Sequence, residues 1–304
     1  MFRGKTCART FVGAIVGAIV GLTLAAASAG AASLPRTGGC GARALLGSGP
    51  QLDFVGLTAD QHLVRFGECN PSRPRDLGAI TGLSGNDTAL VGIDFRVQDG
   101  LLYGVGDGGG VYKFADPASA LATRVNQLSV ALDPNASAFA VDFNPAADRL
   151  RIVSDTGQNL RHNVNAAGTT VADGTLAYLE GTPPAPGAST GVVAIAYTNN
   201  DLDPTTATSL FDLDRDRDQI VLQSPPNGGV LFPTGKLGVD ASGPVGFDVY
   251  STQRSGVTVR NAGFATMTVD GVPAFYRVDL LTGAAVRIGT LGADVVDVAA
   301  PVDQ

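Results

Sequence analysis

Gly92-Ile93-Asp94-Phe95 sets a small residue, an apolar residue, an aspartate and an apolar residue in a row, and the chain repeats that order. It returns as Ala140-Val141-Asp142-Phe143, Gly246-Phe247-Asp248-Val249 and Val295-Val296-Asp297-Val298, and as Ala194-Ile195-Ala196-Tyr197 with alanine in place of the aspartate. The third positions are spaced by 48, 54, 52 and 49 residues. A period near 50 residues suits a four-stranded propeller blade. Further strand-like runs follow each of the first four copies, as in Leu101-Leu102-Tyr103-Gly104-Val105 and then Val111-Tyr112-Lys113-Phe114. Apolar and polar residues alternate within these runs, and Gly, Asp, Asn or Pro bound them, which describes an antiparallel meander.

The two ends explain each other. Leu52 to Leu57, His62 to Phe66 and Asp76 to Ile80 match the second, third and fourth strands of a unit whose first strand is missing. Residues 294–299 supply a lone first strand. The sequence therefore predicts an all-β chain, a five-bladed β-propeller whose ring is closed by the C-terminal strand joining the N-terminal blade, and a β-sandwich is the rival architecture. The expected organisation is a signal peptide over 1–31, a flexible lead-in over 32–50, a single propeller domain over 51–300 and a tail over 301–304. Composition agrees: 44% of the 304 residues are apolar, and 40 glycines and 17 prolines favour many turns over long helices.

The leader is read from three parts. Arg3, Lys5 and Arg9 precede an apolar run from Phe11 to Leu24, and small residues follow at Ala27-Ser28-Ala29 and Ala29-Gly30-Ala31. That order predicts export with cleavage, to a secreted, periplasmic or cell-surface location. An uncleaved anchor is the alternative, with Gly13, Gly17 and Gly21 at GxxxG spacing. Cys7 lies in the leader, and Cys40 and Cys69 form the candidate disulfide. A net charge of −7 argues against nucleic acid and anionic membranes as partners. The expected partner is an extracellular ligand or protein, and the expected state is a monomer.

Most chemical motifs dissolve on inspection. Gly104-Val105-Gly106-Asp107-Gly108-Gly109 fits a dinucleotide fingerprint but runs into a strand, so it reads as a hairpin turn. Asp212, Asp214, Asp216 and Asp218 alternate like calcium ligands, yet Arg215 and Arg217 interleave them, and a salt-bridged hairpin is expected. No HExxH or CxxC occurs, and His62 and His162 read as ordinary strand residues. No catalytic residue is assigned. The inner-strand aspartates Asp94, Asp142, Asp248 and Asp297 have three readings: bonds that hold blades in register, a cation site for which calcium is the candidate ion, or a carboxylate pair for glycan hydrolysis. No other cofactor is expected.

Structural residues recur in every blade, whereas a ligand site uses residues that do not. Asn144, Arg151, Asp155, Gln158, Asn159 and Arg161 crowd one meander, and Asn199 and Asn200 follow the next inner strand. Their forked and amide donors suit carboxylates, sugars or phosphates, and these eight residues form the candidate ligand site.

Several of these strings carry a resemblance. Asp142-Phe143-Asn144-Pro145, Asp148-Arg149-Leu150-Arg151, residues 154–161, residues 173–178, residues 196–200 and Pro225-Pro226-Asn227 resemble the bacterial family known as domain of unknown function 4394, over about residues 50 to 300. The resemblance implies an exported, propeller-like protein and supplies neither an activity nor catalytic residues. The expected function is a non-catalytic binding or scaffold module outside the cell. The alternatives are a hydrolase of glycans or related polymers using the inner-strand aspartates, and a calcium-stabilised structural protein.

Overall fold

Each repeat becomes a small antiparallel sheet because its runs are short, carry β-branched or aromatic residues, and are separated by residues that accept turn geometry. The computed structural model describes residues 51–165, 168–179, 187–188 and 191–302. The first blade holds β1 (Asp53–Thr58), β2 (His62–Gly67) and β3 (Arg75–Ala79); the second holds β4 (Leu90–Phe95), β5 (Leu102–Gly106), β6 (Gly110–Phe114) and β7 (Thr123–Gln127). The third is built from β8 (Phe139–Asn144), β9 (Arg149–Ser154), β10 (Asn159–His162) and β11 (Thr170–Ala172). After β12 (Ala177–Tyr178) and β13 (Gly187–Ala188) comes the fourth, with β14 (Val192–Tyr197), β15 (Leu210–Asp214), β16 (Gln219–Gln223) and β17 (Val230–Lys236). The fifth comprises β18 (Ser242–Arg254), β19 (Val257–Val269), β20 (Val272–Val278) and β21 (Ala285–Thr290), and β22 (Val295–Ala299) ends the series.

These strands form five sheets arranged as a five-bladed propeller. The closing blade has the order β22-β1-β2-β3, with Gly56 opposite Val298 and Leu57 opposite Asp297. The chain ends thus complete one blade, and β1 gains a partner on the side where it would otherwise present unpaired N–H and C=O groups.

Five apolar clusters fill the five seams between blades. Phe54, Phe66, Phe264 and Phe275 meet between the fifth and first blades, with ring centroids 4.9–5.8 Å apart. The seam between blades four and five is the largest, joining Val193, Ala196 and Phe211 to Phe247, Val249 and Tyr276. The seam between blades three and four, around Val153, Ile195, Leu210 and Leu231, has no partly buried apolar residues packed against it among the described residues.

Two local readings hold. Asp107 to Gly109 is the turn from β5 to β6, with Gly109 at φ 84°, and the fingerprint is a hairpin. The turn after β15 carries ion pairs Arg217–Asp214 and Arg215–Asp216. Sequence reads the Pro-rich stretch from Gly181 to Gly191 as a loop between blades; within it, Gly187 and Ala188 form β13, paired with β12. In turn β12 runs parallel to β17, so the fourth sheet has six strands. The cause lies upstream: Asp173 N–H donates to Asn159 O, Gly174 N–H to Asn227 O and Ala177 N–H to Gly229 O, which carries the chain from blade three onto the edge of blade four. The leader, the lead-in, Cys7 and Cys40 lie outside the described residues. Among the described residues no helix is long and apolar enough to cross a membrane.

Candidate functional site

The repeat places its small residue and its aspartate on one face of each inner strand, toward the axis. The small residue is required by crowding. A Cβ on Gly92 would sit 2.6 Å from Val141 Cγ2, and one on Gly246 would sit 2.7 Å from Val298 N. The aspartates form a directional chain of bonds. Asp94 Oδ2 accepts from Phe143 N–H at 2.7 Å, and Asp142 Oδ1 from Tyr197 N–H at 3.0 Å. Asp248 Oδ2 accepts from Ala300 N–H at 2.6 Å, and Asp297 Oδ2 from Ile93 N–H at 2.8 Å. Each carboxylate therefore reaches the inner strand of the following blade. Asp94, Asp248 and Asp297 also accept the N–H of their own successor.

Ala196 breaks this chain at the seam between blades four and five. The loop after β14 supplies the missing bonds. Asn200 N–H donates to Ser251 Oγ and Asn200 Nδ2 to Val249 O, while Asn199 and Asn261 exchange two bonds of 3.0 and 2.7 Å. Asn199 and Asn200 are thus stitching residues of that seam.

One carboxylate oxygen from each of Asp94, Asp142 and Asp248 lies within 4.8 Å of the other two. Three buried negative charges at that spacing require a proton or a cation to neutralise them. Burial pushes all four axial carboxyls up, Asp248 to about 7 and Asp297 to about 8, and for Asp94 and Asp142 the neighbouring carboxylates add to the shift.

A second site forms at one end of the seam between blades three and four. Asn144, at the end of β8, and Tyr197, at the end of β14, finish neighbouring inner strands at the same end of the ring. Together with Ala147, Arg149, Arg151, Arg161 and Asn227 they line a recess of about 90 Å³. Its floor is Arg151, 2% exposed. All three nitrogens of the Arg151 guanidinium are engaged: Nε donates to Tyr197 Oη at 2.7 Å, Nη2 to Asn227 Oδ1 at 2.7 Å, and Nη1 to Asn159 Oδ1 and Asp173 Oδ2. Arg161 lies opposite Arg151 in the sheet, and its Nε donates to both oxygens of Asp173 at 2.9 Å. Arg149 is anchored through Nη1 to the carbonyls of Ala147 and Asp148.

The structure divides the eight sequence candidates. Asn144, Arg151 and Arg161 line the recess, and Asn159 supports it through Arg151 and through Nδ2 bonds to Gly174 O and Pro226 O. Asp155 and Gln158 sit at the turn from β9 to β10, at the other end of the ring. There Asp155 accepts from Ser137, and Gln158 bonds Asp133 N–H and Ala131 O, fastening the segment before β8. Asn199 and Asn200 belong to the next seam. Two residues escaped the sequence reading of this site. Tyr197 registers there only as a strand residue of the degenerate repeat, and Asn227 arrives from 66 residues beyond Arg161 in sequence. Outside the recess lining, Asp212, expected in the salt-bridged hairpin, is instead 0% exposed within β15, and neither of its oxygens has a hydrogen-bond partner among the described residues. Burial raises its pKa well above the carboxylate range, while the charge of Arg151 opposes the shift.

His62 and His162 stand apart from both sites. His62 Nδ1 pairs with Asp76 at 3.0 Å, and buried His162 bonds Thr170 and Asn126.

The family described as Domain of unknown function (DUF4394) matches residues 62–299. Comparison with curated proteins finds no match. Among solved structures, the chain is similar to one from a nidogen/laminin complex, at 10% identity and TM-score 0.45, over 84% of this chain and 100% of that one. It is also similar to a structural genomics protein of unknown function from Bacteroides thetaiotaomicron, at 13% identity and TM-score 0.44, over 83% of this chain and 65% of that one. An auxiliary nutrient binding protein from the same species matches at 12% identity and TM-score 0.36; the match covers 78% of this chain and 58% of that protein.

Proposed function

From the premise that this chain belongs to the DUF4394 family, whose description states no activity, we propose that it is an exported, non-catalytic binding module that takes a small ligand in the recess between its third and fourth blades. One observation carries the reading: at one end of this seam a ring of polar side chains, from Asn144, Arg149, Arg151, Arg161, Tyr197 and Asn227, surrounds an open cavity. Propellers use a rigid ring to present such groups at one end, where loops carry recognition. The side chains are held by their own hydrogen bonds before any ligand arrives, which lowers the entropic cost of binding.

The glycan hydrolase reading fits less well. A general acid and its partner must reach the glycosidic bond. Asp94, Asp142 and Asp248 are buried, and their oxygens accept backbone N–H groups of inner strands.

The test is a melting series of the purified chain with glucose, N-acetylglucosamine, glycine, acetate and phosphate, followed by NMR of each solute. At least one solute is expected to raise the midpoint saturably in the parent chain and not in Asn227→Ala, and to remain chemically unchanged. A panel without effect, an effect equal in the variant, or turnover of a solute would overturn the reading.

A further inference from the structure

The donors and acceptors of the recess do not balance. Each side-chain acceptor in its lining already takes a bond from the protein. Asn227 Oδ1 accepts from Arg151, Asn144 Oδ1 accepts from Ala147 N–H at 2.8 Å, and Tyr197 Oη accepts from Arg151 Nε. The donors are not spent. Arg161 uses only Nε, on Asp173, so both its Nη groups face no protein acceptor among the described residues. Arg149 uses only Nη1, which leaves Nε and Nη2. Asn227 Nδ2 has no protein acceptor among the described residues either.

Charge points the same way. Three of the chain's arginines gather around one cavity, in a protein whose net charge is −7. Asp173 is the carboxylate that pairs with two of them. Asp148 lies beside Arg149 in sequence, but its carboxylate is bound by Arg96 at 2.6 Å. Arg149 therefore has no carboxylate partner among the described residues.

Resting on the reading of this recess as the binding site, we infer that the group it takes is a small oxyanion, a carboxylate or a phosphate, gripped by the Nη groups of Arg161 and the free edge of Arg149. Guanidinium forks match the paired oxygens of both groups. The anchoring bonds on Arg161 Nε and Arg149 Nη1 fix the planes of the two forks in advance. A volume of about 90 Å³ admits one such group and leaves the rest of its carrier molecule outside, over the exposed Asn227 and Ala147. The neutral amide of Asn227 and the Tyr197 hydroxyl complete the donor set without adding a competing charge.

The experiment is a titration of the whole purified chain with sodium acetate, sodium phosphate and glucose at constant ionic strength, with sodium chloride as the blank. The readout is the ¹⁵N Nε–H and Nη–H resonances of arginine together with calorimetry. Acetate or phosphate is expected to bind at one saturable site and to shift arginine resonances; the stronger of the two identifies the source of the oxyanion. Arg161→Gln and Arg149→Gln are each expected to weaken that binding by about tenfold, the loss of one charge-assisted contact. Both side chains are partly exposed, and unchanged melting midpoints establish that the variants keep the fold. Absence of saturable anion binding, or binding unchanged in both variants, overturns the inference. Saturable binding of glucose in place of the anions sinks the oxyanion and leaves the binding module standing. Failure of every solute sinks both.

Discussion

Asp94, Asp142, Asp248 and Asp297 hold four carboxyls near one axis, where water is scarce and the nearest ionisable groups are one another. Their backbone bonds favour the charged form, and burial disfavours it by more, so the balance lies with the proton. The consequence for stability has a definite sign. A carboxyl whose folded pKa exceeds its unfolded value of 3.8 contributes stability that is complete below that value and is lost as pH rises through the folded one, about 7 for Asp248 and about 8 for Asp297. His162 works in the opposite direction. Burial lowers its pKa to about 4, so its contribution is present above 6.5 and fades as pH falls toward 4. Several carboxyls outweigh one imidazole. The unfolding midpoint is therefore expected to fall between about pH 5.5 and about pH 8.5 at fixed ionic strength, measured by urea denaturation. A rise over that interval would mean that a cation and not a proton neutralises the ring. Calcium added at the higher pH after dialysis against EDTA would then raise the midpoint by mass action.

At the scale of strands, the seams are locked by two different devices. Four inner strands pass a carboxylate bond to the next blade, and β14, with Ala196, passes none. The large apolar cluster and the Asn199–Asn200 loop compensate there. Asn261 is the hub, since it accepts from Asn199 N–H and Ser251 Oγ and donates to Asn199 Oδ1. Asn261→Ala is expected to cost about 1–2 kcal/mol, and to raise amide hydrogen exchange at Asn199 and Asn200 ahead of the axial amides of Phe143 and Tyr197. Uniform acceleration would show that this seam is no weaker than the rest. Such detail explains what was legible in the sequence. The inner strands announced themselves because burial on one face imposes the same small–apolar–Asp order each time, and the exception at Ala196 stood out against that order. Strands β12 and β13 did not, because two residues carry no period and β12 pairs in parallel with a strand more than 50 residues away. The recess was half legible. Asn144, Arg151 and Arg161 share one meander, so their density shows in sequence, whereas Tyr197 and Asn227 come from the neighbouring blade and only the fold brings them in. Asp155 and Gln158 misled because nearness in sequence put them beside Arg151, while strand direction carries them to the opposite end of the ring.

For the whole ring, the closure by β22 decides whether five blades act as one. Strand β22 contributes three things at once. It pairs along β1 from Val55 to Thr58. Its Val295 and Val298 pack in the aromatic seam with Phe54 and Phe264. Its Asp297 accepts from Ile93 of the second blade, and Ala300 just beyond it donates to Asp248 of the fifth. Removing it would unpair β1, open the seam on each side of the first blade and leave Asp248 and the Ile93 amide each short of a partner. A chain stopped after Asp294 loses about ten residues of 304, yet the losses fall together on the one blade that joins the two ends and on its bonds to both neighbours. Each orphaned buried group alone costs about 1–3 kcal/mol, and domain stabilities are about 5–15 kcal/mol in total. The truncated chain is therefore expected to lose the single cooperative urea transition of the parent and to expose β1 as an aggregation edge. A peptide spanning residues 294–302, supplied in trans, is expected to restore part of the transition by filling the vacant strand position. A truncated chain that unfolds in one step at the parental midpoint would show that the ring holds without its closing strand, and that the five seams are stable independently of the chain's ends.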